Sequence, residues 1–215
     1  MTQPHYIAIE GPIRVGKSSL TRLVCERLHA LPLFDTEANP FLKDFYGGRP
    51  GAAFRTQMHF LMQRYRQIRS AGIGDSRAPV VADYLFAKDR IFAYINLSDK
   101  ELDVYNGYYE LLKERLPAPD LVIYLQASPE VLRRRIARKD IASEANISDE
   151  YLREVIRAYE HFFTRYKASD LLVVNTTELD FVERSRDLEE LLRGLTQPVQ
   201  GTQFFLPLGS PLDGD

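Results

Sequence analysis

The chain has 215 residues, 45% of them hydrophobic and 27% charged, a balance that suits one globular domain and excludes disordered, collagen-like and low-complexity chains. Its 28 Lys and Arg against 30 Asp and Glu leave a net charge of −2, so no global positive field draws it to a nucleic-acid polymer or an anionic membrane. The single cysteine, Cys25, cannot form an internal disulfide, no Cys/His spacing suits zinc, and no apolar run approaches the roughly 20 residues of a membrane span. A cytoplasmic location is expected, with no signal-peptide layout before Tyr6.

In chain order, Tyr6 to Glu10 reads as a strand and residues 18–30 as a helix with Leu20, Leu23, Val24 and Leu28 at helical spacing. Leu31 to Glu37 reads as a second strand, Phe41 to Tyr46 as a brief helix, and Ala52 to Ser70 as a long helix with Phe54, Met58, Leu61, Met62 and Tyr65 on one stripe. Pro79 to Asp83 is a third strand, and the helical period resumes from Tyr84 to Leu97. Ser98 with Glu101 three residues later forms a capping box for a helix that Pro117 to Pro119 ends. Leu121 to Leu125 is the fourth strand, Ser128 to Arg138 a helix, residues 139–148 a polar loop, and Asp149 to Tyr166 a further helix. Leu171 to Val174 is the fifth strand and Leu179 to Leu195 the last helix. Five apolar strands alternating with helices predict an α/β fold, a five-stranded parallel sheet with helices on both faces, over residues 1–197. Residues 198–215 form a Pro/Gly-rich tail whose Phe204, Phe205 and Leu206 are left with two outcomes, docking or fraying.

Gly11-Pro12-Ile13-Arg14-Val15-Gly16-Lys17-Ser18 matches the phosphate-loop pattern between a strand and a helix. There the backbone curls so that amides point at phosphate oxygens and the helix N-terminus adds partial positive charge. Gly11, Ile13, Arg14, Val15, Gly16, Lys17, Ser18 and Ser19 are the expected contacts to the ATP phosphates, with Lys17 between the β- and γ-phosphates and the Ser18 hydroxyl on Mg²⁺. No Asn-Lys-x-Asp motif points to a GTPase.

Several further motifs select among kinases: Ile9-Glu10-Gly11-Pro12-Ile13, Thr36-Glu37 with Asn39-Pro40-Phe41-Leu42 and Phe45-Tyr46, Asp83-Tyr84 with Lys88-Asp89-Arg90-Ile91-Phe92-Ala93, and Ser128-Pro129-Glu130 leading to Arg135-Ile136. Together they make the chain, to about residue 195, resemble the deoxynucleoside kinases, most closely their bacterial deoxyadenosine/deoxyguanosine branch. The resemblance implies a P-loop kinase that moves a phosphoryl group from ATP to the 5′-hydroxyl of a deoxynucleoside in nucleotide salvage.

Such chemistry needs a carboxylate at a strand end beside the loop. Glu37 is the first choice and Asp35 the second, because the interval to Asn39-Pro40 is shorter than in many relatives. Asp83 is expected to hold Mg²⁺ or its water, although Tyr84 follows it where the family has Arg. Arg135 and Arg138, supported by Lys139, are read as LID cations over the transferring phosphoryl. The resemblance further implies that Tyr46 and Glu144 bind the 3′-hydroxyl. It also places Arg55, after Phe54, where relatives carry a base-reading Gln, and Asp89 at the acidic base-reading position. A donor-only guanidinium at residue 55 suits guanine O6 and N7, so a purine is expected, guanine ahead of adenine. A homodimer through packed helices is implied as well. The alternatives are a nucleoside monophosphate kinase of the thymidylate type and a nucleotide-binding regulatory protein without transfer activity.

Overall fold

The computed structural model describes residues 4–36, 38–139, 147–182, 184–195 and 197–206. Six strands form one parallel sheet in the order β2-β3-β1-β4-β5-β6. They are β1 (Tyr6–Glu10), β2 (Leu31–Leu33), β3 (Val80–Ala82), β4 (Leu121–Gln126), β5 (Asp170–Asn175) and β6 (Thr202–Phe205). The helices between them are α1 (Lys17–Leu28), α2 (Leu42–Tyr46), α3 (Ala52–Ser70), α4 (Lys88–Asn96), α5 (Asp99–Lys113), α6 (Pro129–Lys139), α7 (Asp149–Thr164) and α8 (Ser185–Leu195).

Strand side chains alternate between two faces, and both faces here are covered, so the strands read as continuous apolar runs. Ile7, Ile9, Val81, Ile123, Leu125, Leu172 and Val174 pack with Leu20 and Val24 of α1, Leu132 and Ile136 of α6 and Leu191 of α8. On the opposite face, Tyr6, Val80 and Ala82 pack with Leu61 and Ile68 of α3 and Tyr105 and Tyr109 of α5. Ala8, Val122, Tyr124, Leu171 and Val173 pack there with Ile91 of α4 and Val155, Tyr159 and Phe163 of α7. The strand ends that follow β1, β2 and β3 meet at one edge of this sandwich, and that edge carries the site.

The expected sheet gains one strand. Residues 202–205, assigned to the tail, pair in parallel with β5, and Phe205 joins the core beside α8. Gly194 makes room for it: a Cβ there would stand 2.8 Å from the Phe205 ring. Residues 202–205 are therefore part of the sheet. The capping box is present, with the Ser98 N–H donating to Glu101 Oε2 at 3.0 Å. Leu61 of the expected α3 stripe is buried, and Phe54, Met58 and Tyr65 pack against the core beside it; the fully buried face also takes in Ala52, Thr56, Gln57, Arg64 and Ile68, which puts two large polar groups inside.

Candidate active site

The loop between β1 and α1 turns through left-handed backbone at Gly11 (φ 154°), Arg14 (φ 58°) and Gly16 (φ 115°). Glycine is required at the two ends. A Cβ at Gly11 would run into the Leu125 carbonyl, and one at Gly16 would lie 2.8 Å from Phe181 Cζ. The loop delivers the N-terminus of α1, whose first N–H groups have no intrahelical partner and attract an anion. The Lys17 ammonium closes across the mouth, donating to the Gly11 and Pro12 carbonyls at 2.8 and 3.0 Å. Burial, followed by repulsion from Lys88, lowers its proton affinity to a pKa of about 8.

Behind the loop stands Glu10, fully buried at the end of β1. Its carboxylate accepts the Gly11 N–H at 2.8 Å, the Leu85 N–H at 2.9 Å and the Tyr159 hydroxyl at 3.0 Å, tying β1, the turn after β3 and α7 together. Arg135 braces the loop from the other side: Nη1 donates to the Val15 carbonyl at 3.0 Å and to Thr176 Oγ1 at 3.2 Å, and Nη2 to the Thr176 carbonyl at 3.0 Å.

From Ser18 a chain of charged groups runs inward. Asp83, buried just beyond β3, accepts the Ser18 hydroxyl on Oδ2 and the Asp35 N–H on Oδ1, both at 2.5 Å. The Asp35 carboxylate is clamped by Arg64 through Nε at 2.9 Å and Nη2 at 2.8 Å, and by Lys88 Nζ at 3.0 Å. Arg64 also donates through Nη1 to Asp89 Oδ1. Burial alone would raise the Asp35 pKa, but Lys88 and Arg64 outweigh it and hold the carboxyl well below the usual carboxylate range. Asp89 goes the other way. Burial, with Asp35 nearby, pushes it up to about 6 against the pull of Arg64 and Lys88. Its Oδ2 is buried and has no hydrogen-bond partner among the described residues, which is costly unless a ligand supplies a donor.

Of the expected residues, the structure brings Lys17, Ser18, Asp83, Asp35 and Asp89 into one cluster. Glu37 and Glu144 lie outside the described residues. Tyr46 ends α2, with its ring 5.3 Å from that of Phe45. Arg138 and Lys139 are exposed in the last turn of α6, whereas Arg135, expected over the moving phosphoryl, is half-buried and bonded to main chain. Arg55 stands apart from this cluster. It is exposed on α3 and stacks 5.8 Å over Phe41 in an outer groove, because two residues at 100° per residue separate it from Gln57 on the buried face. Gln57, Arg64 and Lys88 went unrecognised in the sequence. The available signal was an Arg at the spacing of Leu61 and Ile68, a buried cation that demands carboxylate partners elsewhere.

The deoxynucleoside kinase family model matches residues 7–200. The chain belongs to the deoxynucleoside kinase family. Among curated members of that family it is 33% identical to deoxyguanosine kinase of Bacillus subtilis over 199 residues, covering 89% of this chain and 96% of that one. It is 28% identical to deoxyadenosine kinase of Lactobacillus acidophilus, covering 90% and 96%. A solved structure of deoxyadenosine kinase from M. mycoides with dCMP and dCDP bound superposes with a TM-score of 0.76 at 25% identity, over 88% of this chain and 98% of that one. This chain is thus a kinase of deoxynucleosides.

Proposed function

We infer that this deoxynucleoside kinase transfers the γ-phosphoryl of ATP to the 5′-hydroxyl of a purine deoxynucleoside, guanine ahead of adenine. The observation that carries the reading is the unbroken link from Ser18 on the phosphate loop through Asp83 to Asp35 at the end of the β2 segment, which sets a donor site and a carboxylate-lined acceptor site side by side.

Ser18 and Asp83 offer hard oxygen donors 2.5 Å apart, the donor set Mg²⁺ takes together with phosphate and water. Bound there, Mg²⁺ would neutralise charge on the donor phosphates. Lys17 holds the phosphate tail, Arg135 keeps the loop in shape, and Arg138 and Lys139 supply LID charge. Asp35 has its lone pairs committed to two cations and a depressed pKa, which suits it to hold charge and leaves Glu37 as the stronger candidate for taking the 5′-hydroxyl proton. Tyr46 and Glu144 orient the sugar. Gln57, Arg64 and the orphaned Asp89 Oδ2 read the base, an assignment that moves base recognition from Arg55 to the inner face of α3. A homodimer is supported by Tyr94 on α4 and Val104, Tyr108 and Leu111 on α5, large apolar groups left exposed on neighbouring helices. The buried free thiol of Cys25 agrees with a cytoplasmic setting.

The test is a panel of deoxyguanosine, deoxyadenosine, deoxycytidine and their monophosphates with MgATP. Purine deoxynucleosides are expected to be the best acceptors. A clear preference for deoxycytidine contradicts the base assignment, and transfer only to monophosphates contradicts the function. Glu37→Gln is expected to remove most turnover while retaining ATP binding; unchanged turnover assigns the base to Asp35.

A further inference from the structure

Tyr84, directly after Asp83, is fully buried, and its hydroxyl donates to Gln67 Oε1 at 2.9 Å. It serves the scaffold and brings no charge to the phosphoryl site. Arg135 is bonded to main chain, and Arg138 is exposed at the far end of α6. Lys17 is therefore left needing a companion where negative charge accumulates. Lys88 is a further cation, among the described residues, on the chain of contacts that leads from the phosphate loop. Lys88 opens α4 with only 9% of its surface exposed, and its ammonium rests 3.0 Å from Asp35 Oδ2. The groups that act on it are Asp35, Glu10 and Arg64. Asp35, which the ammonium holds, is tied through Asp83 to the Ser18 hydroxyl on the phosphate loop, and the Lys88 charge acts on Lys17.

We propose that Lys88 is a catalytic residue whose ammonium contacts the γ-phosphoryl during transfer, standing between Asp35 on the acceptor side and Lys17 on the donor side. The proposal rests on the reading of function given above. In the transfer, a bond forms between the 5′-oxygen and the γ-phosphorus, the bond from that phosphorus to the β–γ bridging oxygen breaks, and the hydroxyl proton goes to the carboxylate base of the functional reading above, which is not Asp35. Lys88 forms no covalent bond. It neutralises charge that spreads over the equatorial oxygens of a loose transition state, where a fixed buried cation is most effective. A flexible lysine stem allows the ammonium to leave Asp35 for the phosphoryl without losing its seat on α4.

The experiment compares Lys88→Met, Lys88→Gln and Lys88→Arg in kinetics with deoxyguanosine and MgATP. It also compares their binding of deoxyguanosine alone with their binding of a bisubstrate analogue joining adenosine and deoxyguanosine 5′ to 5′ through a tetraphosphate. Lys88→Met is expected to lower kcat by about 100-fold or more, with KM for deoxyguanosine changed less than about threefold. The analogue should weaken at least about 30-fold, deoxyguanosine alone less than about threefold, and Lys88→Arg should recover at least about tenfold in kcat. A kcat within about threefold of the parent overturns the proposal, as does equal weakening of both ligands, which marks a role in holding Asp35 alone. If Lys88→Met fails to fold, Lys88→Gln against Lys88→Arg decides by the same binding ratio. A parent enzyme that phosphorylates no deoxynucleoside overturns the functional reading instead, so the two failures are distinct.

Discussion

The donor and acceptor halves of this site are built on different physical plans. The donor half is main chain: a loop curled through positive φ at Gly11, Arg14 and Gly16, closed by one lysine onto two carbonyls. The acceptor half is side chain: Asp35, Arg64, Lys88 and Asp89, four formal charges packed behind the sheet edge with little water. A backbone cradle tolerates any nucleotide that presents phosphates, whereas a charge network is fixed to one arrangement of donors and acceptors. In the reading proposed above, affinity for the donor and choice of acceptor fall to separate parts of the molecule, linked through Asp83.

The comparison breaks most visibly at Arg64. Arg64→Met leaves Asp89 without its hydrogen-bonded cation and Asp35 with Lys88 alone, and removing one partner from a buried ion pair costs about 3–5 kcal/mol. Chemical denaturation should register that loss together with near-complete loss of activity. Arg55→Ala, on the same helix but exposed, should stay within about 0.5 kcal/mol of the parent with activity retained. Equal effects of the two substitutions would return base recognition to the outer face.

A smaller effect is expected from pH. Asp89 titrates at about 6 in the folded protein, against about 3.9 in an unfolded chain. Between those values the folded state holds a proton that the unfolded chain has released, so this residue's contribution to stability falls as pH rises through the window. Activity moves oppositely: kcat/KM for deoxyguanosine should rise as pH passes upward through about 6, when Asp89 becomes an acceptor for guanine N–H groups. Asp89→Asn should flatten that limb, and an unchanged limb in the variant would detach it from Asp89.

The smallest change tests the donor half. Arg14 holds φ 58° without being glycine, a conformation that costs about 1 kcal/mol or more for a residue with a Cβ. Arg14→Gly should raise the thermal midpoint by a few degrees, read by calorimetry, whereas Arg14→Ala, which keeps the Cβ, should not.

These halves also differ in how they can be read from the amino-acid order. The phosphate loop occupies eight consecutive positions between a strand and a helix, so residue types and spacing were enough. The acceptor cluster draws Asp35, Arg64, Asp83, Lys88 and Asp89 from segments that meet only on folding. On α3 the apolar pattern picked out Phe54, Met58 and Leu61, which do pack on the core, but gave no sign that the helix also turns Gln57 and Arg64 inward. Arg55, beside Phe54, lies on the exposed face. The strand after residue 201 was hidden in a polar, glycine-containing tail, and only the seat of Phe205 over Gly194 makes it part of the sheet.

The most direct measurement is single-turnover transfer from γ-labelled ATP to deoxyguanosine by the parent and by Lys17→Ala. The account predicts stoichiometric labelled dGMP from the parent and a rate at least about 1,000-fold lower in the variant. Equal rates for the two proteins, or label released only as inorganic phosphate, would contradict it.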